Sequence, residues 1–536
     1  MIAFAVLSGP LPKLGVIGVG LLAGAVITVG DPVRRAWAML GALVLAPVLL
    51  LASIWNSPQL GIVHRHPLEL AVGAVVILAV LAGAARLLAG RARLLAPLAM
   101  FALPFRIPIQ AGGSTANLLV PLYLVVAAGC LAWLVPVLWR TRSGSRPSAR
   151  KRSRAAGAPA PGPPAAGAAP PASAAPAGPH LFEKVLAGYV VLYAIQAVYS
   201  ADFQKALQNM VFFYVPFALL LAMLRELRWD RELLTRCLGV SAALAVVFAC
   251  IGYVEYATKT LLLNPQLIAR LDVHPYFTVN SVFFDPDIFG RYLALVMILL
   301  AAVLLHERRP RLQIGVSVVL AMLWAGLVLT LSRSSLGALL VGLAVLAALR
   351  WKVWPVLSLG AAVVVAGLIA LAISPSTFGL NQGLNGASSG RAHLITGGAR
   401  MFAQRPIYGY GSGAFVVQYR RENKHVNTTL AASHTIPVTI AAEQGLIGEI
   451  VYLVLVVTAL ITLFRGTRRR PERAAIAATF LALLLHTMLY ADFLEDPTTW
   501  VLLAIGGAMA WQQQRGPERA GPEAERGRRR TVTSAA

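Results

Sequence analysis

The sequence predicts an all-α membrane protein with about 14 transmembrane helices, in a range of roughly 12 to 15. The composition is the first observation, because 58% of the 536 residues are hydrophobic and only 13% are charged. The second is a series of apolar runs of about 20 residues, the length that a helix needs to cross a hydrocarbon core of about 30 Å. The third is that no segment alternates convincingly between apolar and polar residues, as a half-buried strand would.

The basic residues predict the orientation of these spans. The chain has 47 Lys and Arg against 22 Asp and Glu, a net charge of +25. In a soluble protein this excess would suggest a nucleic-acid partner, but in a membrane protein it marks the cytoplasmic loops. Most basic residues lie in alternate loops that we place inside: 34–35, 86–93, 140–154, 184, 225–236, 308–311, 350–352, 465–473 and 515–530. With these loops inside, the long polar loop at residues 374–436 faces outside.

Composition divides the chain into four sections. Residues 1–140 form an N-terminal transmembrane section, and residues 181–510 form a longer transmembrane core that contains the external loop 374–436. Residues 141–180 are rich in Arg, Ala and Pro, cannot bury enough apolar area to fold, and are predicted to be a disordered cytoplasmic linker. Residues 511–536 form a basic cytoplasmic tail.

Two arginines stand at the predicted outer boundary of the membrane. Arg333 lies between two apolar spans with almost no loop, and Arg291 opens another span. A charge at such a position is costly unless it has a partner or a function, and the planar guanidinium group suits a phosphate. The alternatives are an Arg333 side chain that snorkels to the interface and an ion pair of Arg291 with Asp285 or Asp287.

The external loop carries further candidates for anion binding and catalysis. Arg391 begins a segment whose spacing predicts an amphipathic helix that ends before Pro406, and Arg405 lies near its end. His434 stands where the loop returns to the membrane and is a candidate general base. Glu443 follows nine residues later as a candidate orienting group, or as a cap of a polar patch. A lone His at a helix start is also often structural.

No metal or cofactor is predicted. Cys130, Cys237 and Cys250 lie in or beside apolar runs, without the spacing of metal ligands, and the external His residues show no metalloprotease-like pattern. The chain has no P-loop, and Gly409 to Gly413 are interpreted as a loop turn.

Three motifs, in order, resemble the O-antigen ligase and O-antigen polymerase superfamily over about residues 181–510. Residues Thr330 to Gly337 are similar to its Thr-x-Ser-Arg signature. Residues Pro406 to Phe415 resemble its Pro-x-x-Gly-x-Gly-x-Gly-x-Phe region. Residues Ser433 to Gly448 resemble its closing motif, except that Thr435 stands where the family often has Asn.

The resemblance implies a C-type glycosyltransferase architecture and a metal-independent enzyme without cofactors. Such enzymes transfer glycans from undecaprenyl diphosphate to an acceptor hydroxyl at the outer face of the bacterial cytoplasmic membrane. Carried over by motif, Arg333 and Arg391 would bind the diphosphate and His434 would activate the acceptor. Arg291 and Arg405 are further candidates for the diphosphate on the basis of their positions in this sequence. The implied partners are a polyprenyl-diphosphate-linked glycan, a glycan or glycolipid acceptor and membrane lipids, but no nucleic acid.

Two other function classes remain open, as does the choice between ligase and polymerase. A lipid-linked glycan transporter or flippase would place ionisable residues near the middle of the bilayer, whereas this chain concentrates charge on one external loop. A non-enzymatic polysaccharide-assembly scaffold would use the same arginines to bind lipid headgroups without turnover.

Overall fold

The computed structural model describes residues 9–54, 67–111, 114–142, 179–263, 277–351, 391–423, 435–490 and 492–514, with the single positions 354, 355 and 358. The apolar run Val353–Ile373, which has the length of a membrane span, lies outside these residues except for the three single positions, and so does almost all of the predicted linker and tail. His434 also lies outside them. The proposed division of the chain into four sections therefore stays a prediction.

Helices dominate the described residues, as predicted. Many begin at a proline in the first turn, where the missing N–H costs nothing. Their bounds are α1 Pro10–Thr28, α2 Pro32–Ile54, α3 Pro67–Gly90, α4 Leu95–Ala102, α5 Val120–Arg142, α6 Leu181–Ala197, α7 Phe203–Asn209, α8 Val215–Leu224, α9 Arg231–Thr258, α10 Pro286–His306, α11 Pro310–Leu329, α12 Arg333–Arg350, α13 Arg391–Gln404, α14 Phe415–Glu422, α15 Ile436–Phe464, α16 Pro471–Leu489 and α17 Pro497–Gln514.

The all-α polytopic fold class is confirmed. Eleven helices within the described residues are long and apolar enough to cross a membrane. One of them runs through α7 and α8 and contains a π-helical turn at Met210–Tyr214. All ten residues of α8 are buried, so this helix lies in the interior of the bundle.

One short β-hairpin was not predicted. Strands β1 (Ile107–Ala111) and β2 (Ser114–Leu118) pair antiparallel between α4 and α5, with Ile107 opposite Leu118. The sequence places Gly112 and Gly113 between them, a known hairpin signal, but strands of five residues are too short for a clear alternation of apolar and polar positions.

The helices that carry the candidate site form the middle of the bundle. Helix α10 packs against α9, α11, α12 and α16, while α15 packs against α6, α13, α16 and α17. Gly290 allows the start of α10 to approach α12, because a methyl group at this position would overlap the side chain of Ser335.

Ion pairs join several of the loops that were predicted to lie in the cytoplasm. Arg35 contacts Glu226 at 2.8 Å, and Arg93 contacts Asp230 at 2.6 Å. Arg231 lies 3.8 Å from Glu307. The fold therefore brings these loops together on one face, which we call the inner face, and the starts of α10, α12 and α15 lie at the other. That the inner face is the cytoplasmic one stays a prediction.

Candidate active site

The turn between α11 and α12 carries Arg333 and has a strained backbone. Leu331 adopts a left-handed conformation with φ 53°, which costs a non-glycine residue roughly 1–2 kcal/mol. The hydroxyl of the next residue, Ser332, caps α12 by accepting the N–H of Ser335 at 3.2 Å. Strained positions of this kind cluster at functional sites, so the turn is a candidate for one.

A buried polar network fixes this turn against α10 and α16. The Ser334 hydroxyl donates to Asp287 at 3.0 Å, and Ser332 hydrogen-bonds the same carboxylate. The His486 ring places Nε2 3.3 Å from the Ser334 hydroxyl and 3.2 Å from that of Ser335. His486 is fully buried. The first turn of α12 is therefore held by side chains from two other helices.

Arg291 is buried in the same region, and its partner differs from the two that the sequence suggests. Its Nη2 lies 2.7 Å from Asp496, not against Asp285 or Asp287. Asp285 instead caps α10 by accepting the N–H of Asp287 at 2.7 Å. Burial raises the pKa of Asp285, which also hydrogen-bonds Tyr490. The Arg291 Nη1 atom is buried without a hydrogen-bond partner among the described residues.

Arg333 and Arg391 are each the first residue of a helix. Arg333 opens α12 and is exposed, and Arg391 opens α13 and is half-buried. A helix start already carries a partial positive charge, so a cation is unfavourable there and an anion is favoured. Arg291 and Arg391 are both electrostatic neighbours of the His486 ring. Arg291 therefore lies in the region of the polar cluster, Arg333 stands between its members Ser332 and Ser334 in the chain, and Arg391 is near enough to act electrostatically on His486.

The glycine-rich segment is a turn, as predicted, and it is fastened to the start of α15. Gly409, Gly411 and Gly413 have φ values of +66°, +92° and +75°, which residues other than glycine rarely adopt. Both carboxylate oxygens of Glu443 accept backbone N–H groups, from Gly413 at 2.7 Å and from Phe415 at 2.9 Å. Glu443 therefore holds the turn and the start of α14.

Residues 318–453 match the family model described as O-antigen ligase. The match runs from α11 into α15 and includes Arg333, Arg391, His434 and Glu443. The resemblance inferred from the motifs is thereby confirmed for this segment, which we call the ligase segment. None of the curated proteins compared with the chain matches it. The chain is a multi-pass membrane protein, and its ligase segment is similar to the O-antigen ligase family.

Within the ligase segment, Arg405 is separated from the other candidate arginines. It follows the last residue of α13, about 20 Å along the helix axis from Arg391 at 1.5 Å per residue. Its guanidinium group lies over the ring of Tyr410, 4.5 Å from the centroid. One diphosphate cannot contact both ends of α13, so the structure does not bring Arg405 into the cluster.

The sequence predicts His434 as a general base and Glu443 as an orienting group or a cap of a polar patch. Both Glu443 oxygens bind the glycine-rich turn, and His434 lies outside the described residues, so their relation stays a prediction. His434 immediately precedes Thr435, the N-cap of α15. The start of α15 packs on α13, where a methyl group at Gly398 would overlap Val438.

Sequence reasoning missed His486. It is an ionisable residue near the end of the apolar helix α16, far from Glu472 and Arg473 in the first turn, and its Nδ1 has no partner among the described residues. A buried ionisable group in a membrane span is a functional candidate by default, which was the signal available in the sequence.

Sequence reasoning also missed a polar contact of Asn209 next to the glycine-rich turn. Asn209 donates to the Tyr193 hydroxyl at 3.0 Å and to Glu495 at 2.7 Å. Asn209 immediately precedes the π-helical turn, a feature often found at functional sites. The Ser412 hydroxyl donates to the Tyr193 carbonyl at 3.0 Å, so the same residue contacts the ligase segment.

Proposed function

We propose that this protein transfers a glycan from a polyprenyl-diphosphate carrier to an acceptor hydroxyl at the external face of the bacterial cytoplasmic membrane. The observation that carries the proposal is the grouping of Arg291, Arg333 and Arg391 at one end of the bundle. A cationic site at this boundary suits a lipid whose diphosphate lies at the membrane surface while its chain stays in the bilayer. The match of the ligase segment supports the same class of reaction.

In this reaction the bond between the anomeric carbon and the diphosphate oxygen breaks, and a bond from that carbon to the acceptor oxygen forms. The electron pair of the broken bond leaves with the diphosphate, whose negative charge grows in the transition state. Fixed guanidinium groups and two helix starts stabilise this charge, because they are already in position and need not move when the charge develops. Arg333 and Arg391 bind the diphosphate, with the free N–H of Arg291 as a third contact.

His434 accepts the proton of the acceptor hydroxyl as the general base. Support comes from its place in the chain, one residue before the helix cap Thr435 and at the end of the external loop. The packing of α15 on α13 brings this helix start to the helix that begins at Arg391. Glu443 acts as a positioning residue through the glycine-rich turn, and no metal takes part in the step.

The ligase and polymerase alternatives share this chemistry and differ only in the acceptor. A scaffold would bind the lipid-linked glycan without turnover, and a flippase would move it without cleaving the diphosphate bond. Purified protein in lipid nanodiscs, incubated with a polyprenyl-diphosphate glycan and candidate acceptors, distinguishes these functions by the mass of the products.

Variants of the arginines test the site. Arg333→Ala and Arg391→Ala should lower transfer by about 10²- to 10³-fold, as loss of one charge-stabilising donor does. Lys should restore activity only in part, because it lacks the bidentate fork. Arg400→Ala is the matched control, since Arg400 is an exposed arginine on α13. A chelator should leave transfer intact. Full activity in both arginine variants, or chelator inhibition reversed by a divalent metal, would overturn the proposal.

A further inference from the structure

A long cavity lies beside the candidate site, between α9, α10, α11, α16 and α17. Its volume is about 840 Å³. Along α10 its lining extends from Ile288 near the start of the helix to Glu307 after its end. Nineteen residues of helix span about 28 Å, close to the full thickness of a bilayer hydrocarbon core of about 30 Å.

The walls of the cavity are apolar over most of this length. Leu295, Leu299 and Val303 line it from α10, while Ile476 and Leu502 face it from α16 and α17. Such apolar walls make favourable contacts with a hydrocarbon chain, whereas water would find few hydrogen-bond partners there.

Both ends of the cavity carry charged side chains, but the two ends differ in exposure. Arg291 and its partner Asp496 line the end near the candidate site, and Arg291 is only 2% exposed. Its Nη1 group is buried without a partner in the described part of the chain. A buried guanidinium N–H that lacks an acceptor favours an anionic ligand at this end. At the inner face the other end is lined by Arg231, which pairs with Glu307, and by Arg309, and both arginines are exposed.

We propose that this cavity holds the polyprenyl chain of the donor, with its diphosphate at the Arg291 end and its chain terminus towards the inner face. The inference rests on the proposed function, which supplies a lipid diphosphate as the substrate. Acyl chains of ordinary phospholipids fill one leaflet, about half of the hydrocarbon core. A cavity as long as the whole core is therefore matched to a longer chain that carries one anionic headgroup.

Chain-length dependence tests the proposal directly. Val303→Trp and Leu299→Trp would fill the inner and middle parts of the cavity. Leu340→Trp is the matched control, because Leu340 is 56% exposed on α12 and does not line the cavity. Each variant is assayed with two donors that carry the same glycan, one on a full-length polyprenyl chain and one on a chain of two isoprene units.

The cavity variants should lower kcat/KM for the long-chain donor by about tenfold or more, because part of the chain loses its buried surface. Transfer from the short-chain donor should stay within about twofold of wild type. Leu340→Trp should change neither. If the long-chain donor is used equally well by all three variants, the cavity proposal is wrong while the transferase function stands. If wild-type protein transfers from neither donor, the proposed function itself fails.

Photo-crosslinking tests the direction in which the polyprenyl chain lies in the cavity. A polyprenyl diphosphate with a diazirine at its chain terminus should label peptides containing Val303 or Ile476. A diazirine on the first isoprene unit should label peptides near Ile288. Excess unlabelled polyprenyl diphosphate should compete, and excess phospholipid should not. Competition by phospholipid would assign the cavity to bulk lipid. The reversed labelling pattern would contradict the proposed orientation, and it is the pattern expected of a flippase that admits the headgroup from the inner face.

Discussion

The backbone N–H of Gly413 donates a 2.7 Å hydrogen bond to Glu443, a residue 30 positions later in the chain. The same carboxylate accepts the N–H of Phe415 at 2.9 Å. A buried carboxylate of α15 thereby holds a turn whose glycines adopt positive φ values. The glycine-rich motif and the closing motif of the ligase segment form one structural unit.

Replacing Glu443 should loosen this unit. Glu443→Ala leaves two buried N–H groups without an acceptor, at roughly 1–3 kcal/mol each, and Glu443→Gln retains one acceptor oxygen. We expect both variants to unfold at lower temperature in detergent and to lose transfer, with Ala worse than Gln. Glu232→Gln is the control, since this carboxylate is 59% exposed. An unchanged melting temperature in Glu443→Ala would show that the turn is held by other contacts.

The Arg291–Asp496 pair should contribute to folding and to donor binding separately. Arg291→Leu leaves the Asp496 carboxylate buried and unpaired, which costs about 3–5 kcal/mol. Adding Asp496→Asn removes that charge and keeps an acceptor for the Thr498 N–H. We expect the double variant to regain thermal stability without regaining transfer. Recovery of both in the double variant would assign Arg291 a structural role alone.

Stability should fall as the pH rises through the titration of Glu495, which lies between α16 and α17. Burial raises the pKa of Glu495 from 4.5 to about 7, although Lys205 opposes this shift. The folded protein thus holds a proton that the unfolded chain releases. This contribution to stability is complete below pH 4.5 and is lost as the pH rises through about 7.

Thermal unfolding of Glu495→Gln, measured in detergent between pH 4.5 and 8, should show a flatter pH dependence than wild type. The amide is uncharged throughout and can still accept the hydrogen bond from Asn209. Glu232→Gln should retain the wild-type slope. Parallel curves for Glu495→Gln and wild type would mean that another group titrates in this range.

Membrane orientation can be read from single cysteines in a background without Cys130, Cys237 and Cys250. Thr396 on α13 and Arg468 after α15 are both exposed and lie at opposite faces of the bundle. We expect Thr396→Cys to react with an impermeant thiol reagent in intact spheroplasts and Arg468→Cys to react only after lysis. Labelling of Arg468→Cys in intact spheroplasts, with Thr396→Cys labelled only after lysis, would place α13 on the cytoplasmic side of the membrane.

His434→Ala should lower turnover strongly and spare donor binding. The proposed binding charge lies on Arg291, Arg333 and Arg391, so the variant should still bind the lipid diphosphate while transfer falls by about 10²-fold or more, as for a lost general base. Acidification should lower wild-type activity, because a protonated imidazole accepts no proton. His393→Ala, which removes an exposed ring on α13, is the control. An inactive His393 variant beside an active His434 variant would identify a different base.

The sequence by itself determined the properties that depend on local pattern. Apolar runs long enough to cross a bilayer predicted the helical membrane fold, and the spacing after Arg391 predicted α13. The order of three motifs identified the family that the model for residues 318–453 describes.

Only the tertiary structure decided which side chains meet. It paired Arg291 with Asp496 and placed His486 beside Ser334 and Ser335, on helices separated by more than 150 residues in the chain. It also separated Arg405 from Arg391 by the length of α13. Periodicity reports which face of a helix is buried, but the partner on that face is selected by the packing of helices that are distant in the sequence.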